Sequence, residues 1–214
     1  MKDIHIILGA PKKESLQPLL KSDSFVIGVD RGALLAIEEG IEVDVALGDF
    51  DSISAREKDI IVHEADELIE YPSEKDDTDA EIALLYVLKH YETSKVYIYN
   101  WYGGRIDHLY SILLLTHQKR FETILPNLRL VSKNNDISYS LPGEHTVDKI
   151  EKMDYLSFIL LTEVKGLTLE DVKYPLTDES FKRPLALISN EFLEKQAAFS
   201  FNEGIVAVIQ SKDE

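Results

Sequence analysis

The chain has 214 residues, 44% hydrophobic and 29% charged, a composition that builds one large or two small soluble domains with a real core. Lys and Arg total 23 against 39 Asp and Glu, a formal charge of −16. So acidic a chain repels nucleic-acid backbone and anionic lipid, and neither is expected as a partner. With no Cys in the sequence, disulfides, thiol catalysis and thiolate metal sites are excluded. No apolar run approaches membrane-spanning length. The N-terminus runs straight into Ile4-His5-Ile6-Ile7-Leu8 without a basic leader region, so a cytoplasmic location is expected.

In chain order, Ile4–Leu8 reads as a strand ending in Gly9-Ala10-Pro11, and Phe25–Val29 as a second. Asp30-Arg31-Gly32 follows, then a helix over Ala33–Glu39 closed by Gly40. Val43–Leu47 is the third strand and runs into Gly48-Asp49-Phe50-Asp51-Ser52. Ser54 and Glu57 have capping-box spacing for a short helix; Thr78 and Glu81 repeat it ahead of Ile82–Leu88, the strongest helical pattern. Lys95–Tyr99 reads as a strand and Asp107–Lys119 as a helix. Such alternation predicts α/β architecture, a parallel sheet covered on both faces, with ligands beyond the carboxyl ends of its strands. Asp30, Asp49 and Gly103 fall at such ends.

From about Asn127 the texture changes. Short strands are predicted at Leu128–Ser132, Ile137–Ser140, Tyr155–Leu161, Ala186–Ile188, Ala197–Phe201 and Ile205–Ile209, separated by Gly, Pro, Asn and Asp. The expectation is an antiparallel β-sandwich with Asn202-Glu203-Gly204 as a hairpin loop. The boundary is placed between residues 126 and 127, giving an α/β domain over 1–126 and a β-sandwich over 127–214.

Four clusters carry candidate chemistry. If Asp49 and Asp51 sit on extended backbone, both face one point while Phe50 turns into the core. Two carboxylates so placed suit a hard divalent ion, Mg²⁺ above all, which leaves coordination positions for phosphates. Asp and Ser also crowd loops because they make local turns. The second cluster, Glu74-Lys75-Asp76-Asp77-Thr78-Asp79, packs four carboxylates around one Lys at a helix start. Capping and the helix dipole account for part of it; a metal-ligand role for Asp79 accounts for the rest. The third is Gly103-Gly104-Arg105-Ile106-Asp107-His108: glycines permit close backbone approach, and Arg offers a planar fork for phosphate. Asp107 either caps the following helix or orients Arg105. The fourth, Ser189-Asn190-Glu191 after Lys173-Tyr174-Pro175-Leu176, reads as turn chemistry on residue types alone.

Taken in order, these motifs resemble the thiamine pyrophosphokinase family. The matching residues are Asp30-x-Gly32-Ala33, Gly48-Asp49-Phe50-Asp51-Ser52, Asp76-x-Thr78-Asp79, Gly103-Gly104-Arg105-x-Asp107-His108, Lys173-Tyr174-Pro175-Leu176 and Ser189-Asn190-Glu191. The resemblance spans nearly the whole chain. It implies that the β,γ-diphosphate of ATP is moved to the hydroxyl of thiamine, with release of AMP. It further implies an N-terminal α/β nucleotide-binding domain, a C-terminal thiamine-binding β-sandwich, and a homodimer whose active site lies between subunits. Residue by residue, Asp49, Asp51 and Asp79 would hold Mg²⁺ against the triphosphate. Asp30, Asp51 or Asp79 would accept the hydroxyl proton. Lys75, Gly104, Arg105, Asp107 and His108 would form the phosphate and nucleotide site, and Ser189 and Asn190 would fix thiamine.

Departures from the family pattern are Gly9-Ala10 in place of two glycines and the bulky Asn100-Trp101-Tyr102 before Gly103, which bears on the adenine or ribose pocket. Trp101 is the only Trp and lies in the α/β half, so Phe199 or Phe201 are the candidates to stack on thiamine, although alternation makes both core residues. Two rival readings remain. Asp49-Phe50-Asp51-Ser52 also resembles the nucleophile loop of haloacid-dehalogenase-type phosphatases, but follows the third strand rather than the first. A nucleotide or thiamine sensor without turnover is the non-catalytic alternative.

Overall fold

The structure, a computed structural model, describes residues 2–11, 15–16, 24–91 and 95–213. It divides into two compact units, 1–133 and 134–214.

The first unit holds β1 (Asp3–Ile7), β2 (Ser24–Val29), α1 (Arg31–Glu38), β3 (Val43–Gly48), α2 (Ala55–Glu64), β4 (Ala65–Glu70), α3 (Asp79–His90), β5 (Val96–Tyr99), α4 (Ile106–Leu114) and β6 (Leu128–Val131). Its strands pair in parallel in the order β6-β5-β1-β2-β3-β4. From β1 the chain adds strands on one side, then returns to add β5 and β6 on the other. Strand order therefore reverses between β5 and β1, the place where open α/β sheets bind ligands. The strands are near-continuous apolar runs, as parallel pairing requires; Ile4, Ile6, Ile7, Ile27, Leu47 and Ile98 are fully buried.

Local chemistry sets the helix ends. Both expected capping boxes form: Ser54 with Glu57 on α2, and Thr78 with Glu81 on α3. Beyond α1, Gly40 has φ 71°; its N–H donates to Ile37 O at 2.9 Å, and that of Ile41 to Ala36 O at 3.0 Å. This is a Schellman closure, which needs the left-handed backbone that glycine adopts without cost to a side chain. α4 is shorter than expected. It stops at Leu114 and gives way to one-turn 3-10 helices, Leu115–His117 and Lys119–Phe121. The Thr116 hydroxyl bonds back to Leu113 O at 3.3 Å, the local competition that unsettles a helix end.

The second unit contains β7 (Asn135–Ser140), β8 (Gly143–Asp148), β9 (Tyr155–Leu160), β10 (Val164–Glu170), β11 (Leu176–Phe181), β12 (Leu185–Asn190), β13 (Gln196–Phe201) and β14 (Val206–Ser211). All its pairings are antiparallel, in two sets, β12-β9-β14-β7 and β11-β10-β13-β8. Leu156, Phe158, Val206 and Val208 of the first set share one core with Leu167, Leu169, Phe199 and Phe201 of the second. This is the expected sandwich, with β8, β10 and β11 added to the strands that the sequence predicts. The expected hairpin at Asn202-Glu203-Gly204 is instead a crossover, because β13 and β14 belong to different sheets. Gly204, at φ 111°, passes so close to Glu163 O that a Cβ would stand 2.4 Å from it.

Candidate active site

The loops after β1, β2, β3 and β5 end side by side, because those strands are neighbours in the order β5-β1-β2-β3. They line a cleft of about 550 Å³ together with the starts of α3 and α4. Of the expected site residues, Asp30, Asp49, Asp51, Asp79, Gly104, Arg105 and His108 line it.

Asp30 follows β2 with φ 48°, a conformation unusual for a residue with a side chain. Its N–H donates to Leu47 O at 2.9 Å, and Oδ1 accepts from Phe50 N at 3.0 Å. Its carboxyl thus braces the loop after β3 instead of capping α1. Gly48 permits this: a Cβ there would lie 1.8 Å from Asp30 Oδ1. Burial, with the charges of Asp79 and Asp49, pushes the Asp30 carboxyl up to about 7 despite the Phe50 hydrogen bond.

Asp49 and Asp51 are not presented by extended backbone. Phe50 between them has φ 56°, and Asp51 N donates to Asp49 Oδ1 at 3.2 Å. A tight local turn, with Phe50 buried beneath it, brings them to the cleft. Lys75 spans Asp49 and Asp79: its Nζ lies 3.3 Å from Asp49 Oδ2 and 2.5 Å from Asp79 Oδ1. Burial works against ionisation of Asp49, yet the Asp51 N–H and Lys75 outweigh it and hold its carboxyl below the ordinary range. Burial likewise opposes the Lys75 charge, and Asp79 with Asp49 more than restores it. Asp49 and Asp79 therefore share one ammonium, with the Asp30 carboxyl beside them.

On the facing wall, Arg105 is gripped by Asp107 through Nε to Oδ1 at 3.1 Å and Nη2 to Oδ2 at 2.6 Å. Asp107 Oδ1 also accepts from His108 N at 3.0 Å; it lies inside the first turn of α4, whose N-cap is Arg105 without a side-chain cap, so its role is to satisfy that N–H and to orient Arg105. The pair is exposed, so the edge of the guanidinium that Asp107 leaves uncovered faces solvent.

Arg31 is a cleft residue to which the sequence reading gave no role, and Asn100 one noted there only for its bulk beside the nucleotide pocket. Asn100, at φ 55° and nearly buried, donates from Nδ2 to Leu8 O at 2.8 Å and to Ala10 O at 2.6 Å. It ties the ends of β5 and β1 together where strand order reverses; only the taste of Asn for left-handed backbone after a strand signals this in the sequence. Trp101 lines the cleft, fixed by its indole N–H to Val131 O at 3.2 Å, while Tyr102 is turned toward solvent.

Ser189 and Asn190 lie in the second unit at the end of β12. Asn190 is buried and acts as a staple: Oδ1 accepts from Tyr174 N and Glu191 N, each at 2.9 Å, and Nδ2 donates to Tyr174 O at 3.0 Å. Ser189, at φ 59°, is exposed, with its N–H on Ser157 Oγ at 3.1 Å. Phe199 and Phe201 are both buried in the sandwich core, so neither presents a stacking face. Tyr174, held by Asn190, is 59% exposed.

Among the described residues, no three His, Asp or Glu side chains are grouped so as to hold a metal ion by themselves, and no helix is long and apolar enough to cross a membrane.

Comparison with known proteins accords with this arrangement. Residues 16–125 match the family "Thiamin pyrophosphokinase, catalytic domain", and residues 144–206 match "Thiamin pyrophosphokinase, vitamin B1 binding domain". Thiamine pyrophosphokinase of Bacillus subtilis (strain 168) is 36% identical over 217 residues, covering the whole of both chains. The crystal structure of a thiamin pyrophosphokinase family protein from Enterococcus faecalis superposes with a TM-score of 0.92 at 37% identity, again over the whole of both chains. Thiamin pyrophosphokinase from Candida albicans, at 16% identity and a TM-score of 0.81 over 99% of this chain and 89% of its own, shares the fold. Matched by both regions and by a relative of that identity along its full length, the chain belongs to the thiamin pyrophosphokinase family.

Proposed function

We propose that this cleft transfers the β,γ-diphosphate of ATP to the hydroxyethyl oxygen of thiamine, giving thiamine diphosphate and AMP. The observation that carries the reading is that Asp49 and Asp79 share one ammonium, Lys75, with the Asp30 carboxyl beside them, at the carboxyl edge of a parallel sheet. The donor set fits Mg²⁺, which is commonly held by one or two carboxylates with substrate phosphates completing its shell. Asp49, Asp51 and Asp79 are the proposed ligands. When bound, the ion would neutralise charge on the triphosphate and hold it in line.

The chain's own residues do the rest. Lys75 is poised to leave its carboxylates for the incoming phosphates. The Arg105 fork, set by Asp107, takes phosphate oxygens, with Gly104 and His108 shaping the nucleotide side. The thiamine oxygen attacks the β-phosphorus, the bond from that phosphorus to the oxygen bridging the α-phosphorus breaks, and AMP departs with the electron pair. The hydroxyl proton passes to Asp30, whose carboxyl, pushed up to about 7, matches the task near neutral pH. Positioning supplies most of the acceleration.

Thiamine is assigned to the end of β12. Ser189 offers a free hydroxyl, Asn190 fixes the loop, and exposed Tyr174 offers a π-face to a cationic ring. The active form is proposed to be a homodimer with its site between subunits. Ile106, Tyr110 and Leu114, one stripe of α4, are 71%, 59% and 51% exposed, the kind of apolar face that a second copy covers.

The test is incubation with ATP, Mg²⁺ and thiamine, followed by resolution of the products. Thiamine-dependent AMP in equal amount to thiamine diphosphate supports the reading. ADP or inorganic phosphate formed regardless of thiamine overturns it in favour of a phosphatase, and binding of both ligands without AMP in favour of a sensor.

A further inference from the structure

We infer that Arg120, outside the cleft, is a positioning residue for this reaction: through Glu81, Gln118 and Asp77 it anchors the turn that carries Asp79 into the site. The inference rests on the diphosphoryl-transfer reading of the cleft.

Arg120 lies beyond α4 in the 3-10 turn Lys119–Phe121, which is pinned by the fully buried Phe121. Its guanidinium sits 4.8 Å from the centre of the Phe121 ring. Nε donates to Gln118 Oε1 at 2.8 Å, and Nη2 reaches Asp77 Oδ1 at 2.7 Å and Glu81 Oε1 at 3.1 Å. Glu81 Oε1 also accepts from Gln118 Nε2 at 2.5 Å, while its Oε2 accepts from Thr78 N at 2.7 Å and the Thr78 hydroxyl at 2.8 Å. Both oxygens of a nearly buried carboxylate are thus engaged, one by the start of its own helix and one by the distant segment.

The division of labour follows from that geometry. A capping box ties the first turn of α3 to itself and fixes nothing relative to the rest of the unit. Asp79 meanwhile meets the Asp30 carboxyl and shares Lys75 with Asp49, so its place depends on neighbouring carboxylates that repel it when ionised. Lys75 offsets that repulsion, but it sits on the same turn and, in the proposed reaction, is claimed by the phosphates. Arg120 and Gln118 add a polar anchor to the apolar packing of Ala80, Ile82 and Ala83. A displacement of about 1 Å in such a group costs up to about a hundredfold in rate.

The decisive variants are Arg120→Ala and Arg120→Lys, assayed beside the wild type in the full-length protein. Wild-type protein that makes no thiamine-dependent AMP overturns the reading of the cleft, independently of any variant. Given wild-type turnover, Arg120→Ala is expected to lower kcat on the order of tenfold to a hundredfold, with KM for thiamine unchanged and kcat regained in millimolar methylguanidinium. Arg120→Lys keeps the charge but not the fork; it is expected to fold even if the alanine variant does not, and still to lose kcat. Wild-type kcat in either variant overturns the inference, as does a loss that methylguanidinium leaves untouched in folded Arg120→Ala.

Discussion

Asp30 concentrates several costs in one residue: left-handed backbone, a half-buried carboxyl and two neighbouring carboxylates. Strain of this kind persists where the surroundings over-determine it; here Leu47 O, Phe50 N and Gly48 do so. The folded-state value of about 7 against an ordinary 3.8 fixes the sign of a pH effect. Between those values the folded chain binds more protons than the unfolded one, so this residue's contribution to stability falls as pH rises toward 7. Asp30→Asn keeps an oxygen for the Phe50 N–H and removes the charge. With EDTA present, its Tm is expected to exceed that of wild type at pH 8 and to converge with it near pH 4. A Tm difference that is the same at both pH values would refute the charge account. Asp49→Asn is expected to abolish turnover with little change in Tm, since loss of the Lys75 contact is offset by relief of repulsion with Asp30. Wild-type activity in that variant would remove Asp49 from the proposed ligand set.

Gly48 shows how a strand end shapes the site: its missing side chain is where Asp30 Oδ1 rests. Gly48→Ala is expected to lower stability by about 1–3 kcal/mol in urea unfolding and to remove most activity, by moving Asp30 rather than by touching substrate. Unchanged stability and rate would mean that the loop has room to yield. The features that were legible in the sequence are those encoded locally. Both capping boxes, the Gly40 closure and the buried strands follow from spacing within a few residues. The strands that escaped prediction are mostly edges: β4, β8 and β11 end their sheets and carry charged, exposed residues such as Asp66, Glu144 and Asp178. Edge strands blunt themselves with charge and so lose the alternation by which strands are read. β10 is interior and hides differently, with Gly166 and register shifts breaking its pattern. In the site, motif residues were legible as residue types, whereas their geometry was not. The Asp49–Asp51 pair converges through the positive φ of Phe50, and the Arg120 anchor joins positions 39 apart to Glu81.

At the scale of the whole molecule, the residues proposed for phosphate chemistry lie in the first unit and Ser189, Asn190 and Tyr174 in the second, and the proposal joins them across a homodimer. Mixing two inactive proteins tests that directly. Asp49→Asn damages the first unit and Tyr174→Ala the second; each homodimer then carries the same defect at both of its sites. If a site takes its first unit from one subunit and its second from the partner, a mixed dimer has one doubly damaged site and one intact site. After subunit exchange half the dimers are mixed, so recovery of roughly a quarter of wild-type activity is expected. If each site is built within one subunit, every site in the mixed dimer keeps one lesion and nothing is recovered. Exchange itself is verified by native mass spectrometry of differently tagged chains, so that silence in the assay is read only where mixed dimers exist. Leu114→Lys places a charge on the exposed stripe of α4 and is expected to shift the protein toward monomer and to abolish recovery in the same experiment. A monomeric variant with full activity would place the whole reaction within one chain.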